Sequence, residues 1–156
     1  MEIVNIGGPT PKNTLDAPIE HLLACHRRIE QKLDTLLRAV EISSDEIARV
    51  FHFFDTNGLL HTQDEEESIF PRLGPRVSAS ETALLNALHA EHESIEALYA
   101  RVAAGDRTSA TVRELVDRYH AHIAREDTEL VAAMRRCLDA DDLRAISQEM
   151  KQRRGL

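Results

Sequence analysis

Four histidines of this chain are each followed four residues later by a glutamate: His26 and Glu30, His61 and Glu65, His92 and Glu96, His122 and Glu126. His89 and Glu93 form a fifth pair. With about one residue in ten a Glu, eight His would meet such a partner about once by chance. Residues four apart on a helix share a face, one turn along the axis. A single pair of this kind is a surface contact worth a few tenths of a kcal/mol. Several pairs turned toward one interior would do different chemistry. Imidazole nitrogen plus carboxylate oxygen, without thiolate, is a donor set for non-haem iron or manganese, and less specifically for zinc.

The elements that must position these residues read as helices almost throughout. Residues 1–14 hold two Gly and two Pro without periodicity and read as a tail or strap. The rest, 15–156, reads as one domain of a size that can bury one sizeable core. The first helix is expected from about Asp16 to Glu41. The second starts at the capping-box segment SSDE (43–46) and reaches about Phe70, where Pro71 and then Gly74-Pro75 end it. Asn57-Gly58 lies inside it as a weak spot or kink, because the apolar spacing stays in phase across it. The third is expected from a cap at Ser80 to just before Gly105, the fourth from Thr108 or Ser109 to about Leu138. A shorter fifth runs from Asp139 to about Arg153. Four long helices with short connectors favour antiparallel neighbours, so the expected fold is all-α, an up-down-up-down four-helix bundle with a short C-terminal fifth helix.

Turning about 100° per residue around each helix gives the direction of each side chain. His26 falls at the centre of the stripe Leu22, Leu23, Ile29, Leu33, Leu37 and Val40, and His21 on the opposite side. His61 and Glu65 lie on the stripe of Ile47, Val50, Phe54 and Ile69, and His52 faces away. His92 sits among Leu85, Leu88, Ile95, Tyr99 and Val102, with His89 nearer the edge. Glu126 lies within the stripe of the fourth helix, His122 on its flank and His120 outside it. Each long helix thus sends at least one imidazole toward the bundle centre. Burying several carboxylates there without cations would cost several kcal/mol each or force them to protonate. Metal ions remove that difficulty by turning the same groups into ligands.

Six or more ligands exceed the need of one tetrahedral zinc, and two metals bridged by carboxylates suit the count better. Helix direction restricts the bridges. If the four His lie at one level, Glu65 and Glu126 sit one turn to one side, and Glu30 and Glu96 one turn to the other. One pair can bridge; the other pair would then support the ligands or line the mouth.

The pieces HRRIEQKL (26–33), HTQDEEESIFP (61–71), EHESIEAL (91–98) and HIAREDTEL (122–130) together resemble the hemerythrin-like (HHE cation-binding) family, in order and spacing, from about residue 15 to 138. The resemblance implies a four-helix bundle around a di-iron centre. It marks His26, His61, His92 and His122 as terminal ligands and Glu65 and Glu126 as the bridging carboxylates. The oxygen-carrying members have His-x3-His on the third helix, whereas here Leu88 precedes His92 by four and Glu96 follows it by four. Their bridging carboxylate on the fourth helix comes five residues after the His, not four. The spacing looks more like the iron-handling and stress-response branch. His89 or Glu96 would be an additional ligand, and Glu30 a supporting group.

Two ferrous ions held by four neutral imidazoles and two carboxylates keep two excess positive charges, which a bridging hydroxide or oxide would balance after oxidation. Mn or Zn would be substitutes for iron. Open coordination positions are where a small molecule binds. An aliphatic wall would admit O2, NO or peroxide and turn away bulky substrates. Tyr99 and Tyr119 face inward and could donate hydrogen bonds to such a ligand, or serve as ordinary core tyrosines. The first expectation is therefore a di-iron protein that binds or senses a small oxidant, or handles iron under oxidative or nitrosative stress. The alternatives are a di-iron enzyme that dismutates peroxide or reduces NO, and a metal-free helical adaptor acting through its acidic faces.

Composition narrows the rest. The formal net charge of −8 argues against nucleic acid or an anionic membrane as main partner. Aromatics are 4% and Trp is absent, so aliphatic side chains must fill the core. No apolar run approaches spanning length and the N-terminus lacks the pattern of a secretory signal, so a cytoplasmic protein is expected. Cys25 and Cys137, far apart and without CxxC spacing, read as free thiols. The acidic run Glu66-Glu67 reads as a solvated face, with contact to the ligands as the alternative.

Overall fold

Pro18 stands in the first turn of α1 (Pro18–Leu37), where its missing N–H breaks no helical bond. The computed structural model describes residues 12–38 and 41–156, with backbone alone at 12 and 13. Most of the tail expected over 1–14, and Val40, lie outside the described residues; Lys12–Asp16 is a 3-10 turn leading into α1. A long second helix, α2, runs over 44–73. α3 spans Ala79–Ala103, α4 runs over 109–137 and α5 spans Ala140–Arg153. Among the described residues there is no strand, and no helix is long and apolar enough to cross a membrane. The architecture is the all-α bundle expected, α1 to α4 alternating in direction and α5 packed against α1, the turn before it and the Asp64–Ile69 stretch of α2.

Local chemistry explains the helix ends. Ser43 caps α2 by accepting from the Glu46 amide at 3.2 Å, as SSDE predicts. Thr108 caps α4, and Asp139 and Asp142 form a reciprocal box at the start of α5. The cap of α3 is Ser78 rather than Ser80: Glu81, three residues on, completes a capping box with Ser78. α1 stops at Leu37 rather than Glu41. Its core positions follow 22, 26, 29, 33 and 36, so Leu36 is buried and Leu37 is 42% exposed.

α2 and α4 are not uniform. α2 widens to π geometry at Phe54–Gly58 and again at Asp64–Ile69; α4 does so at Glu126–Leu130. The Asn57-Gly58 weak spot is therefore a widened turn in a continuous helix. Pro71 does not end α2. It follows directly after the second wide turn, where the regular i→i−4 ladder is already interrupted, and the helix continues to Leu73.

The apolar core is in two parts. One gathers Leu15, Leu22, Ile69, Leu73, Leu88, Leu130 and Met134 with Ile146 and Met150 of α5. The other gathers Ile29, Leu33, Val50, Phe54, Ile95, Leu115 and Ile123. Between these two groups along the helices lie His26 on α1, His61 and Glu65 on α2, His92 on α3 and Glu126 on α4.

Candidate metal centre

His26, His61, Glu65 and Glu126 are each 4% exposed or less, and His122 is 3% exposed. They form a polar layer between two apolar ones. His26 Nε2 lies 3.3 Å from Glu126 Oε1 and 3.9 Å from Glu65 Oε1; His61 Nε2 lies 2.5 Å from Glu65 Oε1. On the other side His92 Nε2 lies 3.0 Å from Glu65 Oε2, and His122 Nε2 2.9 Å from Glu126 Oε1. The rings pair accordingly: His26 with His61 at 4.9 Å between centroids, His92 with His122 at 4.6 Å.

These contacts are close but are not aligned as hydrogen bonds. His26 Nε2 and all four carboxylate oxygens of Glu65 and Glu126 are buried without a hydrogen-bond partner. Unpaired buried carboxylates are costly, and native proteins keep few of them. Ligand atoms about 2.1 Å from a common cation stand about 3 Å apart when adjacent and about 4.2 Å apart when opposite, so nitrogen and oxygen can approach this closely with no proton between them. Two sets meet that description: His26, His61, Glu65 and Glu126, and Glu65, His92, His122 and Glu126. Within each set the ligand atoms lie within 4.8 Å of one another, and the two carboxylates belong to both. The residues thus fit a pair of cations sharing Glu65 and Glu126.

Three of the four rings are oriented from behind by a carboxylate. Asp127 Oδ1 accepts from His26 Nδ1 at 2.6 Å, Glu66 Oε1 from His92 Nδ1 at 2.6 Å, and Glu91 Oε1 from His122 Nδ1 at 2.9 Å. A proton held at Nδ1 leaves the Nε2 lone pair facing inward, the tautomer a metal ligand needs. The supports are themselves held: Arg27 pairs with Asp127, and Arg125 reaches Glu91 at 2.7 Å. Asp127 and Glu91 are not among the residues the sequence singles out, and of the two readings of Glu66 the structure has the contact with a site ring rather than the solvated face. A signal existed, since each adjoins a site residue in the chain. Glu66 and Asp127 also ride on the wide turns that carry Glu65 and Glu126.

The other singled-out residues fall as follows. His89 is exposed and pairs with Glu66 at 2.9 Å and Glu93 at 3.3 Å, outside both sets. Glu30 pairs with Arg27 at 2.9 Å, and Glu96 is exposed. Tyr99 donates its hydroxyl toward the Phe51 carbonyl and Asp55. Tyr119 lies near His122, 6.4 Å between ring centroids. Burial, with Glu65 and Glu126 nearby, pushes the Tyr119 hydroxyl far above its ordinary value, so it stays protonated. A cavity of about 200 Å³ opens onto His92 between Phe54, Gly58, Ile95, Tyr99 and Tyr119, with Asp55 and Glu96 also lining it. At Gly58, on its wall, a Cβ would meet Phe54 Cδ1 at 3.4 Å, an ordinary van der Waals contact.

His21, expected on the outer side of α1, is fully buried. The reason is α5, which covers that face. Asp64, 1% exposed, takes Arg153 at 2.8 Å and Arg154 at 2.8 Å; His21 Nε2 stands 3.4 Å from Arg154 and 3.9 Å from Asp64. Beside them Ser68 donates to Glu149 at 2.7 Å.

The electrostatics follow from the geometry. Burial disfavours a charged His26, but Glu126 and Glu65 outweigh it and hold its pKa up at about 9. His92 is likewise held at about 9, by Glu65 first, against its burial. Against their burial, His61 is raised by Glu65 and Cys25, and His122 by Glu126 and Glu65. Burial works against the charge of Glu65, yet the His61 ring holds its carboxyl well below the usual range. Without cations, protons take their place.

A helical bundle with a buried imidazole–carboxylate layer has the donor arrangement with which bundle proteins place metal ions between facing helices. Residues 17–134 match the hemerythrin HHE cation binding domain, and the chain belongs to that family. It is also similar to an uncharacterized protein of Haemophilus influenzae, 28% identical over 159 aligned positions that cover 90% of this chain and 92% of that protein.

Loading with Co2+ or Zn2+ followed by elemental analysis gives a direct check of the facing argument. His61→Ala is expected to lose at least one of about two ions per chain, and His52→Ala, altered on an exposed position, none. Equal losses from the two would remove the argument.

Proposed function

We propose that this domain holds two iron ions between His26, His61, His92 and His122, bridged by Glu65 and Glu126, and that it binds or senses a small oxidant there or handles iron under oxidative or nitrosative stress. The observation that carries the reading is the set of buried, unpaired carboxylate oxygens shared by two groups of imidazoles. The choice of iron is supported by the donor set, nitrogen and oxygen without sulfur.

Bound iron would supply one-electron chemistry and an open coordination position. This chain's own residues do the remaining work. Asp127, Glu66 and Glu91 hold three rings in one tautomer. The two apolar cores keep bulk water from the layer. The cavity at His92 has room for O2, NO or peroxide. Tyr119, kept protonated on its wall, is a hydrogen-bond donor for such a guest, whereas the Tyr99 hydroxyl is engaged by Asp55.

The test is anaerobic loading with Fe2+ followed by titration with O2, NO or H2O2, read by near-ultraviolet absorption and by consumption. A binding or sensing protein responds to about one equivalent per pair of irons and then stops. Sustained consumption of many equivalents would instead establish a peroxide-dismutating or NO-reducing enzyme at the same centre. An iron-loaded protein that responds to none of the three would sink the oxidant reading.

A further inference from the structure

The second wide turn of α2, Asp64–Ile69, is gripped from outside by the end of α5. Asp64 opens the turn and is buried, one residue before Glu65. Its Oδ1 accepts from Arg153 Nη1 at 2.8 Å and from Arg154 Nη1 at 3.1 Å, and its Oδ2 from Arg154 Nη2 at 2.8 Å. Ser68, also buried, lies near the far end of the turn. Its hydroxyl accepts from Arg153 Nη2 and donates to Glu149 Oε1 at 2.7 Å. Its carbonyl accepts from Arg72 Nη1 at 3.0 Å, and Arg72 pairs in turn with Glu149. Arg154 is itself tied down, donating to the Met150 carbonyl at 2.9 Å. Both ends of one wide turn are thus fixed by side chains from the end of one neighbouring helix.

We infer that Arg153 and Arg154 are positioning residues for Glu65, holding the wide turn in the register that presents this carboxylate to both cation positions. The inference rests on the two-ion reading above. A wide turn carries one residue more than a regular one, and such turns are uncommon. Relaxation to α geometry would rotate the residues on one side of it by about 100° relative to the other. His61 stands before the turn, Glu65 and Glu66 within it, and Ile69 at its end. A shift there moves Glu65 away from His26, His61 and His92 together, and takes Glu66 from behind His92. Two guanidinium groups on one buried carboxylate hold geometry well. Their forked donors meet both oxygens, and losing them leaves a buried charge unpaired. The effect differs from that of a support behind a single ring. Asp127 serves one imidazole, whereas Arg153 and Arg154 act through a carboxylate that both positions share.

Competition titration of Co2+ against a chelator, with the visible Co2+ bands recorded, tests this together with hydrogen exchange of the metal-free protein. Wild type should take up about two ions in two steps. Arg153→Met combined with Arg154→Met should weaken both steps by roughly 10-fold or more and alter the bands of both ions. In the same variant without metal, the amides of 64–69 should exchange faster than in wild type. Lys151→Met removes a different contact of α5, its pair with Asp16, and should change none of these. Circular dichroism confirms the fold of each variant. If the Met pair does not fold, Asp64→Asn added to it removes the unpaired buried charge and carries the same expectation. Unchanged affinity in the Met pair, weakening of one step alone, unaltered exchange over 64–69, or an equal loss from Lys151→Met would each overturn this inference and leave the two-ion reading standing. A wild type that takes up no ion would overturn both.

Discussion

Glu65→Ala is expected to empty both halves of the site, not one. Glu65 is fully buried on the wide turn of α2 and belongs to both ligand sets: Oε1 faces His61 and His26, Oε2 faces His92. Removing it takes a negative charge and a donor from each position at once. Two cations would then stand close together with Glu126 as the remaining shared carboxylate, and their repulsion in a low-dielectric layer would be poorly offset. Elemental analysis after loading and desalting should find well under one ion per chain, against about two in wild type. His61→Ala, which touches one set, should keep more. A Glu65→Ala protein that still holds two ions would show that this carboxylate does not bridge.

The metal-free protein should lose stability as pH rises, and added metal should reverse this. His26 and His92 have folded pKa values of about 9 against an ordinary 6.5. Their protonation stabilises the fold fully below about pH 6.5, and that contribution disappears as pH passes through about 9. His61 and His122, also raised, act in the same sense. Cys25 acts in the opposite sense: its burial is outweighed by His21 and His61, which hold the thiol well below its ordinary value. The rings outnumber it. Thermal melts of metal-free protein should therefore give a Tm that falls between pH 6.5 and 9.5. Zn2+ or Co2+ must displace those ring protons, so binding strengthens over the same window. At a thousand times Kd, each site adds roughly 4 kcal/mol. For a domain of this size one kcal/mol moves Tm by roughly 2–4 °C, so two sites should raise it by about 15–30 °C. A metal-free Tm that stays flat or climbs across this range would contradict the charged-ring account.

Both expectations depend on the layered arrangement, and much of that layering can be read without coordinates. The His-Glu spacing of four, the apolar stripes and the short connectors identify the bundle and the four rings, because a helix converts sequence spacing into direction at a nearly constant rate. Ser43, Thr108 and Asp139 cap their helices as their positions predict. The misreadings have specific causes. Ser80 is a possible cap by type alone, but the Glu three residues after Ser78 marks the better one. Pro71 would break a regular helix, and α2 is not regular at that point.

His21 shows the limit most clearly. Around α1 it points away from the stripe of Leu22, His26 and Ile29, yet it is as buried as they are. A helical wheel describes one face against one neighbour and cannot say that α5 will lie over a second face. Asp127, Glu91 and Glu66 are of the same kind: adjacency in the chain hints at them, but which ring each supports depends on contacts across 26 to 101 residues of sequence. The periodicity of the chain by itself determined that each long helix turns at least one imidazole toward the interior, since direction around a helix follows from its local geometry. Only the tertiary structure decided which carboxylates stand behind His26, His92 and His122, and that a cavity opens at His92. Those outcomes depend on how separate helices are set against one another, and no local periodicity encodes that.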